Sequence, residues 1–118
     1  MDATLPKAER LCGKTAVVSL FETGKSVSAG CLRCKYLVRA DEAPSRIVVS
    51  VPKRNFKRAV KRNLLKRRMR EAYRRQKALL GPGVDALFIY TSSEVRPYED
   101  VYADMTKLLT HIGNASGN

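Results

Sequence analysis

The sequence predicts an α/β or α+β sandwich, with helices packed against one sheet. Three observations point to it. Short apolar runs of strand length occur at Leu32–Val38, Ile47–Val51 and Asp85–Tyr90. A long basic helical stretch separates the second run from the third. A second helical stripe follows the third run.

The elements follow in chain order. Met1–Lys7 reads as a loose leader. Thr15–Phe21 is ambiguous. Its β-branched residues favour a strand, while Val17, Leu20 and Phe21 also fall at helical spacing. Gly24 ends it in either case. Leu32, Cys34, Tyr36 and Val38 alternate with Arg33, Lys35 and Leu37, the pattern of a half-buried strand. Asp41–Ser45 is a turn, and Ile47–Val51 is a buried strand stopped by Pro52. The long helical stretch lies within Phe56–Leu80 and closes at Gly81-Pro82-Gly83. Arg96-Pro97 opens the last helix, where Val101, Met105, Leu108, Leu109 and Ile112 form an apolar stripe. A polar tail is expected from Gly113 onward. The 118 residues fit one domain, with flexible ends at 1–8 and 113–118.

Charge is distributed very unevenly. Thirteen of the 23 Lys and Arg residues lie between Lys53 and Lys77, with Glu71 the lone acid among them. That window nets +12, and the rest of the chain nets zero. So concentrated a field attracts a polyanion, because each cation docked on a phosphate releases a condensed counterion. On a helical wheel, Asn63, Lys66, Arg67, Arg70, Arg74 and Lys77 share one arc of about 100°. Leu65, Met69, Ala72, Tyr73, Leu79 and Leu80 lie opposite. Phe56, Val60 and Leu64 fall off that stripe, which predicts a change of packing partner near Arg62.

Several function classes are set aside. No run of about 18 apolar residues is present to span a membrane. The basic helix lacks the Trp or multiple Phe of membrane-surface and calmodulin-target helices. A basic-region DNA binder would need a heptad zipper where Gly81-Pro82-Gly83 intervenes. Cys31-x-x-Cys34 supplies only half the ligands of a structural zinc, and a strand would point the two thiols to opposite faces. His111 reads as a surface residue, and the sequon at Asn114 as incidental. Three cysteines without a paired framework fit a reducing cytoplasm.

The stretch Ser50–Arg74 resembles the signature of the bacterial ribonuclease P protein component. That family has a strand ending in Ser-Val-x-Lys, then Ala-Val-x-Arg-Asn-Arg-x-Lys-Arg-x-x-Arg-Glu. The matching residues here are Ala59, Val60, Arg62, Asn63, Lys66, Arg67, Arg70 and Glu71. Arg10-Leu11, Leu20-Phe21 and Gly24 resemble the family's opening helix, so the likeness covers about residues 9–112. Two departures stand out. Leu64 replaces the third residue of Arg-Asn-Arg, so its contact is lost or passes to Lys61 or Arg68. The family's paired cleft aromatics become Val17 and Phe21.

The resemblance implies an α-β-β-β-α-β-α sandwich. Its central four-stranded sheet is mostly antiparallel, and the basic helix forms a strand–helix–strand crossover. It implies the protein subunit of an endoribonuclease that removes 5′ leaders from precursor tRNA. The RNA subunit carries the chemistry and holds most of the Mg²⁺. No catalytic or metal-ligating residue is expected in the protein, and nothing points to an obligate protein partner. Lys53, Lys61, Arg62, Asn63, Lys66, Arg67, Arg70 and Arg74 are expected to meet the catalytic RNA. Val17, Phe21, Arg33, Lys35 and Tyr36 are expected in a cleft for the precursor tRNA leader. Strand register decides whether Tyr36 with Cys34, or Lys35 with Arg33, faces that RNA. The alternative is a ribosomal or other structural RNA binder, which has no reason to place this spaced pattern directly after a strand.

Overall fold

A computed structural model of the chain describes residues 24–39 and 44–115. Leu32–Val38 forms a strand because its apolar residues repeat every second position. This strand, β2, pairs with β1 (Lys25–Ala29) through a tight turn at Gly30. Gly30 adopts φ +53, and a Cβ there would lie 2.2 Å from the Asp104 carboxylate. Only glycine fits both the left-handed backbone and that approach. β3 (Arg46–Ser50) and β4 (Val84–Tyr90) complete the sheet. The strand order is β1-β2-β4-β3, with β1–β2 and β2–β4 antiparallel and β3–β4 parallel. The mixed, mostly antiparallel four-stranded sheet agrees with expectation.

The parallel neighbours β3 and β4 need a crossover, and α1 (Ala59–Arg74) supplies it. A 3₁₀ turn at Lys77–Leu79 and glycines at 81 and 83 with positive φ return the chain to β4. α2 (Tyr98–Ala115) begins after Pro97, with Glu99 and Asp100 in its first turn, where acids suit the helix dipole. It runs through Gly113 to Ala115, so the expected flexible tail does not begin at residue 113. Gly113 explains the extension. A side chain there would strike the Leu79 carbonyl oxygen at 2.3 Å, so α2 packs closely on the 3₁₀ turn.

Both helices cover one face of the sheet. Leu32, Cys34, Tyr36, Ile47, Val49, Ala86, Phe88 and Tyr90 meet Leu65, Met69, Ala72 and Tyr73 of α1, and the α2 stripe from Val101 to Ile112. Each fully buried Leu, Ile, Met or Phe contributes about 1.5–3 kcal/mol. Part-buried polar contacts also join Gln76, just past the end of α1, to α2. Gln76 donates to the Tyr102 carbonyl at 3.2 Å and accepts from Thr106 Oγ1 at 2.6 Å.

Candidate nucleic-acid interface

The buried stripe of α1 fixes which way its cations point. With Leu65, Met69, Ala72 and Tyr73 inside, the opposite face presents Asn63, Arg67 and Arg74 exposed, flanked by half-exposed Lys66 and Arg70. Val60 stands on the same outer face and is 79% exposed. Glu71 lies at the edge, where it accepts two bonds from Arg74 (2.9 and 2.8 Å) and one from Arg75 (2.7 Å). Those guanidinium groups hold its carboxyl down at about 2. The helix starts with no acid in its first turn and no side-chain cap. Positive charge therefore continues from the helix into the preceding connection, where Lys53, Arg54, Lys57 and Arg58 are all exposed.

Besides Arg74 and Arg75, two more arginines are already engaged. Arg62 Nη1 donates to the carbonyls of Phe56 (2.7 Å) and Lys57 (2.8 Å). Arg68 Nη1 donates to the Arg96 carbonyl at the entry to α2. Lys61 is exposed, but it lies off the outward face. Leu64 is half-buried.

The sheet face turned away from the helices carries the second candidate surface. Register places Arg33 across from Ile89, Lys35 across from Leu87, and Leu37 across from Asp85. Leu87 is buried among half-buried Leu37, Val48 and Ile89, which makes a short apolar strip. Arg33 is exposed and donates from Nε to Ser26 Oγ at 3.1 Å. Lys35 is half-exposed. Tyr36 points the other way and is 4% exposed in the core under the helices, where Cys34 is fully buried. The register thus puts Arg33 and Lys35 on the face that the described helices leave uncovered, and puts Tyr36, expected in a cleft, in the core instead. The physical reason is that both helices cover the Tyr36 side. Val17 and Phe21 lie outside the described residues.

Sequence reasoning missed one cluster at the end of this face. Asp85 is buried, and Arg46 grips it with two bonds of 2.9 and 2.7 Å, while Arg39 Nε approaches to 3.3 Å. The signal was available. An acid opening an apolar strand such as Asp85–Tyr90 needs a cationic partner if it is buried. At the opposite end, Cys31 donates to Asp104 through its backbone N (2.9 Å) and Sγ (3.2 Å). Burial, aided by that carboxylate, pushes the Cys31 thiol up to about 12. Burial also raises Cys34 well above the ordinary thiol value. Neither thiol is a poised nucleophile. Among the described residues, no three His, Cys, Asp or Glu side chains gather to hold a metal ion. No described helix is long and apolar enough to cross a membrane.

Among the described residues, an α+β sandwich that turns one cationic helix face outward and leaves a basic, partly apolar sheet face uncovered by its helices has the features of a nucleic-acid-binding protein. Known proteins narrow the class to one family. The Ribonuclease P family profile matches residues 5–113. The ribonuclease P protein component of Porphyromonas gingivalis is 37% identical over 117 residues, covering 92% of this chain and 85% of that protein. The counterpart from Chlorobaculum tepidum is 41% identical over 81 residues, which cover 64% of this chain and 53% of that protein. The ribonuclease P protein from Thermotoga maritima superposes with a TM-score of 0.78 at 28% identity, covering 88% of this chain and 97% of that one. The Staphylococcus aureus structure shares the fold, with a TM-score of 0.77 at 21% identity, covering 89% of this chain and 95% of that one. The chain belongs to the ribonuclease P protein component family and is the protein subunit of an endoribonuclease complex.

Proposed function

We propose that the outward face of α1 docks the catalytic RNA of ribonuclease P, and that the open sheet face receives the 5′ leader of precursor tRNA. The observation that carries the first part is the orientation of α1. Its buried stripe leaves Asn63, Lys66, Arg67, Arg70 and Arg74 in one outward band, continued by Lys53. Structured RNA is bound largely through shape and backbone, which suits repeated cations. Arg adds planar, paired hydrogen bonds to phosphate.

The leader is single-stranded, and single strands bind in positive grooves with apolar or aromatic floors. Arg33 and Lys35 beside Leu87, Val48 and Ile89 supply such cations and such a floor. The RNA subunit carries the hydrolysis and holds most of the Mg²⁺. The described residues do not fit a protein-held metal, since their carboxylates are dispersed or already paired with arginines. A two-metal site would need clustered carboxylates. The reading implies a cytoplasmic setting, where precursor tRNA is processed.

Binding of precursor and mature tRNA to the assembled ribonucleoprotein tests the leader assignment. Arg33→Ala with Lys35→Ala, and separately Phe21→Ala, should weaken precursor binding and spare mature tRNA. Equal losses for both RNAs would remove the open face from leader binding.

A further inference from the structure

We infer that Arg62 is a positioning residue: it holds the connection 51–58 in the shape that presents Lys53, Arg54, Lys57 and Arg58, rather than meeting RNA itself. This rests on reading α1 and its approach as the RNA interface.

Helical spacing gives the first reason. Arg62 precedes Leu65 by three residues and Met69 by seven, so it shares the buried face of α1, not the outward one. The hydrogen bonds give the second. A single nitrogen, Nη1, reaches the carbonyls of both Phe56 and Lys57. These carbonyls precede the helix, whose first turn is closed by the Arg62 amide on the Arg58 carbonyl at 3.3 Å. Charge-assisted bonds of this kind are roughly twice as strong as neutral ones. The third reason is the neighbouring anchor. Phe56 is 6% exposed and packs on Tyr90 with ring centroids 5.8 Å apart. Its ring pins the connection to the sheet, and Arg62 pins the same residue's carbonyl to the helix.

The helix start has no side-chain cap at Arg58. Four mutually repelling cations therefore enter the helix through a short connection that Phe56 and Arg62 tie down. A preordered connection lets each cation meet a phosphate without the entropy of ordering the loop on binding. Freed of Arg62, the connection should fluctuate and its cations should act as a diffuse charge.

The test is a double-mutant cycle with two readouts, using the full-length protein and the ribonuclease P RNA of the same organism. Affinity is measured against salt for wild type, Arg62→Ala, the pair Lys57→Ala with Arg58→Ala, and their combination. Arg67→Ala serves as the control partner. Hydrogen exchange of amides 53–58 is followed in the free proteins. Each phosphate contact contributes roughly 0.7–0.9 to the salt slope. Arg62→Ala should lower the slope by more than one contact, be markedly non-additive with the Lys57/Arg58 pair, and be additive with Arg67→Ala. It should also speed exchange in 53–58, which Arg67→Ala should not.

A slope loss of one contact, additivity with both partners and unchanged exchange would overturn the inference and make Arg62 a direct phosphate ligand. Non-additivity with Arg67 as well, together with a lowered melting temperature, would also overturn it, by showing global unfolding. A wild-type protein that does not bind the RNA would instead sink the functional reading. The exchange comparison would still decide whether Arg62 holds the connection.

Discussion

Replacing Arg67 and Arg70 together by Ala isolates the outward face of α1. Arg67 is exposed and Arg70 half-exposed, and among the described residues neither is tied to a carbonyl or carboxylate as Arg62, Arg68 and Arg74 are. Alanine favours a helix slightly more than arginine, so stability should stay within about 0.5 kcal/mol. If each arginine neutralises one phosphate, the slope of log affinity against log salt should flatten by about 1.4–1.8. A fourfold rise in salt, from about 50 to 200 mM, would then narrow the gap between wild type and variant by about 7- to 12-fold. Filter binding to the catalytic RNA across that range measures it, with urea unfolding as the control for fold. Loss of affinity at an unchanged slope, or no loss at all, would refute the assignment of this face to RNA.

Three further outcomes follow from the same geometry. Leu64→Arg restores the family's third residue beside the cationic band, and should steepen the salt slope by about one contact, roughly 0.7–0.9. An unchanged slope would mean that the position does not face RNA. Asp85→Asn removes the charge that Arg46 grips and Arg39 approaches, and should destabilise the fold by about 1.5–3 kcal/mol in urea unfolding. A neutral result would show that the cluster is loosely held. Cys31 has a folded value near 12 against an ordinary 9.0, so its neutral thiol favours the fold fully below about 9, and that contribution fades as pH rises towards 12. The stability gap between wild type and Cys31→Ala should therefore shrink between about pH 8 and pH 10.5. A gap that widens over this range would contradict the buried, Asp104-bonded thiol.

Much of this architecture is legible in the residues because it rests on periodicity. The two-residue alternation of Leu32, Cys34 and Tyr36 marks β2, and the buried stripe of α1 follows from spacing at Leu65, Met69 and Ala72. Periodicity separates two faces but does not say which one the helices will cover, so Tyr36 and Lys35 could not be told apart from the sequence. β1 escapes a residue-by-residue reading because Lys25–Ala29 has a single large apolar residue, Val27. It is an edge strand defined by its pairing with β2 across Gly30, which is a tertiary fact. Arg62 is a different case. Helical spacing sets it beside Met69, but the family pattern counts it among the RNA contacts. The long-range clusters Asp85–Arg46 and Cys31–Asp104 join residues 39 and 73 positions apart, and no local rule predicts such partners.

The most direct test of the central claim is cleavage of a precursor tRNA at low Mg²⁺, with the cognate catalytic RNA alone, this protein alone, and the two together. A ribonuclease P protein subunit that assists a catalytic RNA should give 5′-leader removal only when both are present. Failure of the protein to stimulate the RNA, with RNA binding retained, would contradict that role and favour a structural RNA binder. Cleavage by the protein alone would contradict it in another way, by placing the chemistry in the polypeptide.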